Sequence, residues 1–346
     1  MEGLVSDRRG FILLRSGFVN RMIRRIIYPL LVALLAVGDS DAQTRKVRVA
    51  MPGYTIAGLS FLTAKINGYY ANEGLDVELI AMRAPTANLA VLSGSVDFST
   101  VPLLGLTTAL RGGALKVLLV HFDKPQHVLF AKNELQNLKL LRGKKIAVAG
   151  PGVIDDILLR EILSANGIDP GRDVTILSMG AADTRVASLI SGAVDGAMLI
   201  APFTFTAKDA GFRELVVFKD QPILLASGGI VARDETLRAD PAMVERFVRA
   251  SAMGFIHSRD NRSGAIRVLI KALKIDEPIA AKVYDASRPT MTADGTLSDE
   301  AQKRMGAFVA KTAVLKEVAP VEKVFDFSIL RKANASLHAK GWQPGS

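Results

Sequence analysis

The stretch KIAVAGPGVIDDILLREILSANG, residues 145–167, reads as a strand, a glycine turn and a helix. Ile146–Ala149 is a short apolar run of the kind a buried parallel strand shows. Gly150-Pro151-Gly152 breaks it. From Ile154 the apolar residues Ile154, Ile157, Leu158, Ile162 and Ala165 recur at helical spacing, with Asp155, Asp156, Arg160, Glu161 and Ser164 mostly on the other side. Gly167 follows as a left-handed C-terminal residue. A helix entered through such a turn leaves backbone N–H groups pointing out of the carboxyl end of the strand, where an anion or a polar ligand edge can rest. Taken alone, the unit is equally well a βα unit with no ligand.

The unit occurs twice. Residues 46–68 read KVRVAMPGYTIAGLSFLTAKING, and Ala50, Pro52, Gly53, Asn67 and Gly68 stand 99 positions before Ala149, Pro151, Gly152, Asn166 and Gly167. With small gaps the correspondence continues. Asp76-Val77 answers Asp173-Val174, Met82 answers Met179, the run Leu92–Asp97 answers Ile190–Asp195, and Pro102 answers Pro202. The order implies two similar α/β lobes that offer helix N-termini and strand ends to a shared space. Ligands of open α/β sheets sit outside the carboxyl ends of the strands, and two facing lobes make a cleft that can hinge shut.

The remaining elements follow from periodicity and turn residues. The first lobe opens with strand Val47–Met51 and a helix ending near Asn67. Strand Leu75–Ala81, helix Thr86–Leu92 and strand Val96–Thr100 come next. The apolar runs Lys116–His121 and His127–Ala131 carry the chain across. The second lobe adds strand Val174–Leu177, helix Thr184–Ile190, strand Asp195–Ile200 and a helix and turn over Ala207–Leu215. Ile223–Ala232 is the return strand, with Gly228-Gly229 as a hinge or bulge. Beyond it come helices Pro241–Ser258, Arg262–Lys274, Ile279–Ala286 and Ser298–Val314, with Pro241 placed for a first helical turn after Asp240. The expected division is 43–130 plus 227–346 for lobe one and 131–226 for lobe two. The C-terminal helices pack on lobe one.

Arg21, Arg24 and Arg25 precede a 12-residue apolar run, Ile26–Val37, and Ser40-Asp41-Ala42 suits cleavage after Ala42. Residues 1–42 therefore read as a secretory signal peptide, with Met22 as an alternative start and an uncleaved anchor as the competing reading. The run is short for a membrane span. The chain holds no cysteine, which removes a thiolate metal site, a cysteine nucleophile and a lipid-anchoring cysteine. Net charge is +10, and +8 once the six Arg and four acidic residues of 1–42 are removed. No helix-turn-helix, basic aromatic helix or arginine-rich run follows, so nucleic acid is not expected as a partner and a solvated basic surface is favoured.

The ordered motifs resemble the periplasmic substrate-binding proteins of ABC importers for nitrate, taurine and alkanesulfonates, the NMT1/THI5-like group. The resemblance spans Lys46 to Leu337. It rests on Gly68-Tyr69-Tyr70 through Glu73-Gly74-Leu75-Asp76-Val77, Leu92-Ser93-Gly94 with Asp97, and Gly143-Lys144-Lys145-Ile146-Ala147-Val148. Gly152 with Asp156, Leu159, Arg160 and Leu163 follows, then Ser191-Gly192-Ala193-Val194-Asp195-Gly196-Ala197 into Pro202. It implies an α/β type II periplasmic-binding-protein fold, with two lobes on a two-strand hinge and ligand between them. It also implies a non-catalytic, monomeric periplasmic receptor that takes a small organic ligand, needs no cofactor, and passes its cargo to an ABC permease and ATPase. Many relatives carry Ser or Thr after the glycine that opens the lobe-two helix, where this chain has Val153. Asp155 and Asp156 in the first turn complement the helix dipole, and Asp156 can pair with Arg160. Either, facing the cleft, would repel an anion.

The candidate ligand-binding residues are Gly53, Tyr54, Thr55, Pro85, Thr86, Ser99 and Thr100 from lobe one. Lobe two offers Gly152, Val153, Ile154, Gly180, Pro202 and Phe203. Arg83 and Arg185 are basic candidates for which a solvated surface is slightly favoured. His121, Asp123 and His127 fit no strong metal-ligand spacing, and neither a nucleophile elbow nor a P-loop occurs. An enzyme on the same fold, of pyrimidine-synthase or desulfinase type, and a secreted ligand-sensing partner of a membrane kinase are the alternatives. Export has a direct readout: N-terminal sequencing of protein from the periplasmic fraction should find a mature chain starting near Gln43, and full-length protein in the cytosol would contradict it.

Overall fold

The computed structural model describes residues 44–316 and 319–345. Residues 1–42, expected from sequence to be a signal peptide, lie outside them. Among the described residues ten strands form two five-stranded sheets. The first sheet holds β1 (Arg45–Met51), β2 (Leu75–Ala81), β3 (Phe98–Ser99), β4 (Leu115–Phe122) and, from far along the chain, β10 (Ser227–Arg233), in the order β2-β1-β3-β10-β4. The second holds β5 (Val128–Ala131), β6 (Lys145–Val148), β7 (Thr175–Ser178), β8 (Gly196–Leu199) and β9 (Arg213–Val217), in the order β7-β6-β8-β5-β9. β1 runs parallel to β2 and β3, and β6 runs parallel to β7 and β8, each pair joined through a crossover helix. β10 and β5 are antiparallel to their neighbours. The two lobes of the expected fold are thus present.

In both lobes the antiparallel strand is the one on which the chain arrives from the other lobe, and it lies beside the strand on which the chain leaves. β10 flanks β4 and β5 flanks β9. The two connections, residues 123–127 and 218–226, therefore run side by side, and Leu225 N–H donates to the Asp123 carbonyl at 3.0 Å. Val128–Phe130, given to lobe one from sequence, pair with β8 and β9 and so belong to the second sheet. The helix and turn expected over Ala207–Leu215 are present as the helix Phe203–Asp209 and the turn after it, and β9 takes the last three residues: its alternation is weak, and pairing with β5 decides its state. The bulge expected at Gly228-Gly229 falls one step on, where the β10–β4 register shifts between Ile230 and Val231. Gly228 is required for another reason. It has φ +61°, and a Cβ there would lie 2.4 Å from the Ala57 carbonyl oxygen.

The duplication is real, but its strands are displaced by two residues from the sequence alignment. Met82 N–H donates to Met51 O at 2.9 Å, and Met179 N–H donates to Val148 O at 2.8 Å. The Asp97 carboxylate accepts Arg48 N–H at 2.8 Å, as the Asp195 carboxylate accepts Lys145 N–H at 2.9 Å. Met51 therefore matches Val148, and Arg48 matches Lys145. The helix ends keep the longer spacing. The Asn67 side chain caps Thr63 O as Asn166 caps Ile162 O, and Gly68 and Gly167 both sit near φ +70°, at 74° and 70°. Lobe two thus carries two extra residues between strand and Pro-Gly turn. A slip of two preserves the inward-outward alternation of a strand, so the apolar pattern cannot reveal it.

The C-terminal helices pack on lobe one. Gly254, in the helix Pro241–Asp260, meets the helix Leu59–Ile66 so closely that a Cβ would lie 2.2 Å from Ser60 O. Around this crossing Thr63 and Ser258 share a 2.8 Å hydrogen bond, Tyr70 hydroxyl bonds Ser251, and Phe247 stacks on Phe98 at 4.1 Å between centroids. Asp240 caps the helix through Met243 N–H at 3.0 Å, as the Asp-Pro start predicts. The helices Asp234–Ala239 and Ser328–Ala339 were not legible in the sequence. Gly254→Ala should push the two helices apart at a cost of about 1–3 kcal/mol. Urea unfolding should show the loss as a lower midpoint at unchanged slope.

Candidate functional site

A cavity of about 1020 Å³ opens between the lobes. Its first wall comes from the segments after three parallel strands: Pro52, Gly53 and Thr55 after β1, Arg83–Pro85 after β2, and Thr100–Leu104 after β3. Its second wall comes from Ala149–Pro151 and Val153–Asp155 after β6, Ser178–Ala181 after β7, and Arg185. His127 and Ala226–Gly228 from the two connections complete it. Four helices, Ala84–Ser93, Pro102–Leu110, Ile154–Ala165 and Ala182–Ile190, start at this cavity. Their dipoles place positive potential there. The lining is mostly apolar, with Met82, Leu103, Leu104, Val153, Ile154 and Met179 prominent, and Thr55, Thr100, Ser178 and Ser227 supply hydroxyls.

Of the residues singled out in the sequence, Gly53, Thr55, Pro85, Thr100, Val153, Ile154 and Gly180 line the cavity. Six lie elsewhere. Tyr54 is 50% exposed and outside the wall, Thr86 is exposed, and Ser99 is fully buried in β3. Pro202 caps and Phe203 begins a helix whose Phe203 and Ala207 pack in lobe two and whose Phe205 packs against lobe one. Gly152 sits behind the wall at φ +71° with open space where a Cβ would point, so a side chain there strains the backbone rather than blocking a ligand. The N–H groups of the lobe-two turn are only partly free. Gly152 N–H is accepted by Asp156 at 2.8 Å, and Asp156 also pairs with Arg160 at 2.8 Å, as its spacing predicts. Among the described residues no protein group accepts the Val153 or Ile154 N–H.

Arg185 departs most from expectation. In place of a solvated surface residue it is 4% exposed. Its Nε donates to Met198 O at 2.9 Å, a terminal nitrogen donates to Gly180 O, and another lies 3.6 Å from Asp155. Asp155, 1% exposed, accepts Ala149 N–H at 2.7 Å and Asp156 N–H at 3.1 Å. Burial pushes its carboxyl up from the ordinary carboxylate value, while the guanidinium and the amide donors pull it back. Those donors all point at its oxygens, and with the Arg185 guanidinium 3.6 Å away the geometry is that of a buried ion pair. The signal for this burial was present in the helical spacing: Arg185 shares a face with Leu189, four residues on. His127 is 8% exposed and its Nδ1 has no partner. His121, three-dimensionally separate in role, bonds Ser60 Oγ at 2.9 Å and stacks on Phe255. Among the described residues no group of three or more His, Cys, Asp or Glu converges as a metal site.

Comparison with known proteins bears on this cleft. The NMT1/THI5-like family profile matches residues 57–263. Among solved structures, a protein of Bordetella bronchiseptica RB50 superposes with a TM-score of 0.75 at 18% identity, over 86% of this chain and 99% of its own. The periplasmic aliphatic sulphonate-binding protein SsuA of Escherichia coli gives 0.64 at 19% identity, over 81% and 97%. The desulfurization enzyme DszB gives 0.62 at 16% identity, over 84% and 99%. These likenesses establish the periplasmic-binding-protein fold. No curated protein matches the chain.

Three buried imidazoles, His121, His127 and His257, make stability depend on pH, because burial lowers the pKa of each. Burial holds His121 and His127 at about 3, against the ordinary 6.5; the Ala57 carbonyl opposes the fall in His121 and the Arg185 charge adds to it in His127. Between those values the unfolded chain binds more protons than the folded one, so stability falls as pH drops from about 6.5 toward about 3 and is unaffected above. Unfolding free energies from urea titrations between pH 7.5 and 5 should fall with a slope that approaches one proton for each buried imidazole, and His127→Gln should lower that slope by one.

Proposed function

The chain belongs to the NMT1/THI5-like family, and on that premise we propose that it is a non-catalytic solute receptor, exported to the periplasm, that delivers a small organic molecule to an ABC permease and ATPase. The observation that carries this reading is the cavity itself. It is framed by the carboxyl ends of parallel strands from both lobes and closed below by the connections about which the lobes would move. About 1020 Å³ is far more than a bare inorganic ion fills and suits a drug-sized molecule. The apolar lining favours a ligand with an apolar body. The Val153 and Ile154 amides, the hydroxyls of Thr55 and Thr100, and the Arg83 side chain, which makes no ion pair among the described residues, can hold its polar end.

A second reading, an enzyme on the same fold, is favoured by one feature: a neutral, unpartnered imidazole in the cavity wall beside a buried arginine. With no cysteine in the chain, such chemistry would rest on His127. Incubation with ligand followed by product analysis separates the two.

Mass spectrometry of molecules that co-purify with the native protein should identify the ligand. Calorimetry should then give tight binding to wild type and at least about tenfold weaker binding, about 1.4 kcal/mol, to Leu104→Trp, which fills the cavity. Small-angle scattering should show the radius of gyration shrinking with saturating ligand. Full affinity in Leu104→Trp would place the site elsewhere.

A further inference from the structure

The start of the helix Ile154–Ala165 has what an oxoanion needs: backbone N–H donors, the positive end of a dipole and a buried guanidinium. In this chain the place is already taken by the chain's own carboxylate. Asp155 receives Ala149 N–H and Asp156 N–H and stands 3.6 Å from Arg185, whose other donors go to Gly180 O and Met198 O. Both side chains border the cavity although almost none of their surface is exposed. Gly152 N–H, which could have served a ligand, is held by Asp156. A second anion arriving at this wall would find the Gly152 N–H and the Arg185 guanidinium already engaged, only the Val153 and Ile154 amides open, and the Asp155 carboxylate beside it. One polar side chain at the same wall is left over: His127, nine-tenths buried, with an unpartnered Nδ1 and a neutral ring. It offers a hydrogen bond without charge.

We propose that Asp155 is a specificity-determining residue that acts as a resident anion: it occupies the oxoanion position of lobe two, so that the ligand presents a neutral hydrogen-bonding group, and not a carboxylate or sulfonate, to the wall formed by Asp155, Arg185 and His127. This rests on the reading that the cleft holds the ligand, and it orients that ligand, with any anionic end directed to lobe one, where Arg83 borders the cavity.

The test uses methanesulfonate and sulfate as probes on the full chain, at constant ionic strength with chloride as reference. Asp155→Ser leaves room beside Arg185 and keeps a hydroxyl for the Ala149 N–H; Asp155→Asn keeps the shape and removes only the charge. Wild type should show no calorimetric binding and no thermal shift. Asp155→Ser should bind at least one probe tenfold or more tightly than wild type, with its lowered Tm raised toward the wild-type value, and Asp155→Asn should show a smaller gain. Adding Arg185→Met to either variant should abolish the gain. Wild-type binding of either probe as tight as that of the variants, or no gain in whichever variant folds, overturns the proposal. The probes are independent of the natural ligand, so failure to find a transported solute leaves this result standing, and the reverse also holds.

Discussion

Two chain crossings constrain everything else in this molecule. A parallel sheet cannot receive a strand directly from a neighbouring lobe without a crossover helix, but it can accept one antiparallel at a position already framed by hydrogen-bonding edges. β5 and β10 enter in that way. Each then lies against the strand from which the chain departs, so departure and arrival are adjacent in both lobes and the connections become a pair. Leu225 and Asp123 tie the pair together by a backbone bond. This pair of connections borders the cavity through His127 and Ala226, beside Ser227 and Gly228 at the start of β10.

The same geometry explains why the cavity has its electrostatic character. With parallel strands in both lobes ending toward the gap, the helices that follow them begin there, and positive helix ends accumulate on both walls. Lobe two offsets much of this internally. Asp155 and Arg185 neutralise each other in the wall, and Asp156 attends to the turn and to Arg160. Such a buried pair is worth little as net stability, since both charges are desolvated, but removal of one partner alone leaves an uncompensated charge. Its consequence is a second wall with little free charge facing a first wall that keeps Arg83. The C-terminal helices seat on lobe one at a close contact that Gly254 permits.

Periodicity, glycine and proline placement and the internal duplication were sufficient to read the α/β class, the two lobes, the hinge and most strands from sequence, because these are local signals or repeats of local signals. Gly53, Thr100, Val153 and Gly180 reached the cavity wall for the same reason: each lies in the segment between a strand end and the helix that follows it. Tyr54, Pro202 and Phe203 obey the same rule of position and still lie outside the cavity lining, because neighbouring residues in a turn point in different directions and sequence order does not say which. The two-residue offset between the duplicated strands escaped because alternation is blind to an even slip.

Tertiary structure alone decided three things. It made β9 a strand by giving it β5 as a partner. It moved Val128–Phe130 into lobe two, since a strand belongs to the sheet whose hydrogen bonds it completes and not to the chain segment that precedes it. And it brought Asp155, Arg185 and His127 together from an element start, a second helix and a hinge connection. Sequence spacing placed each on its element; only the packing of those elements made a buried ion pair and an unpartnered imidazole share one wall, because burial and charge proximity are properties of the assembled lobe.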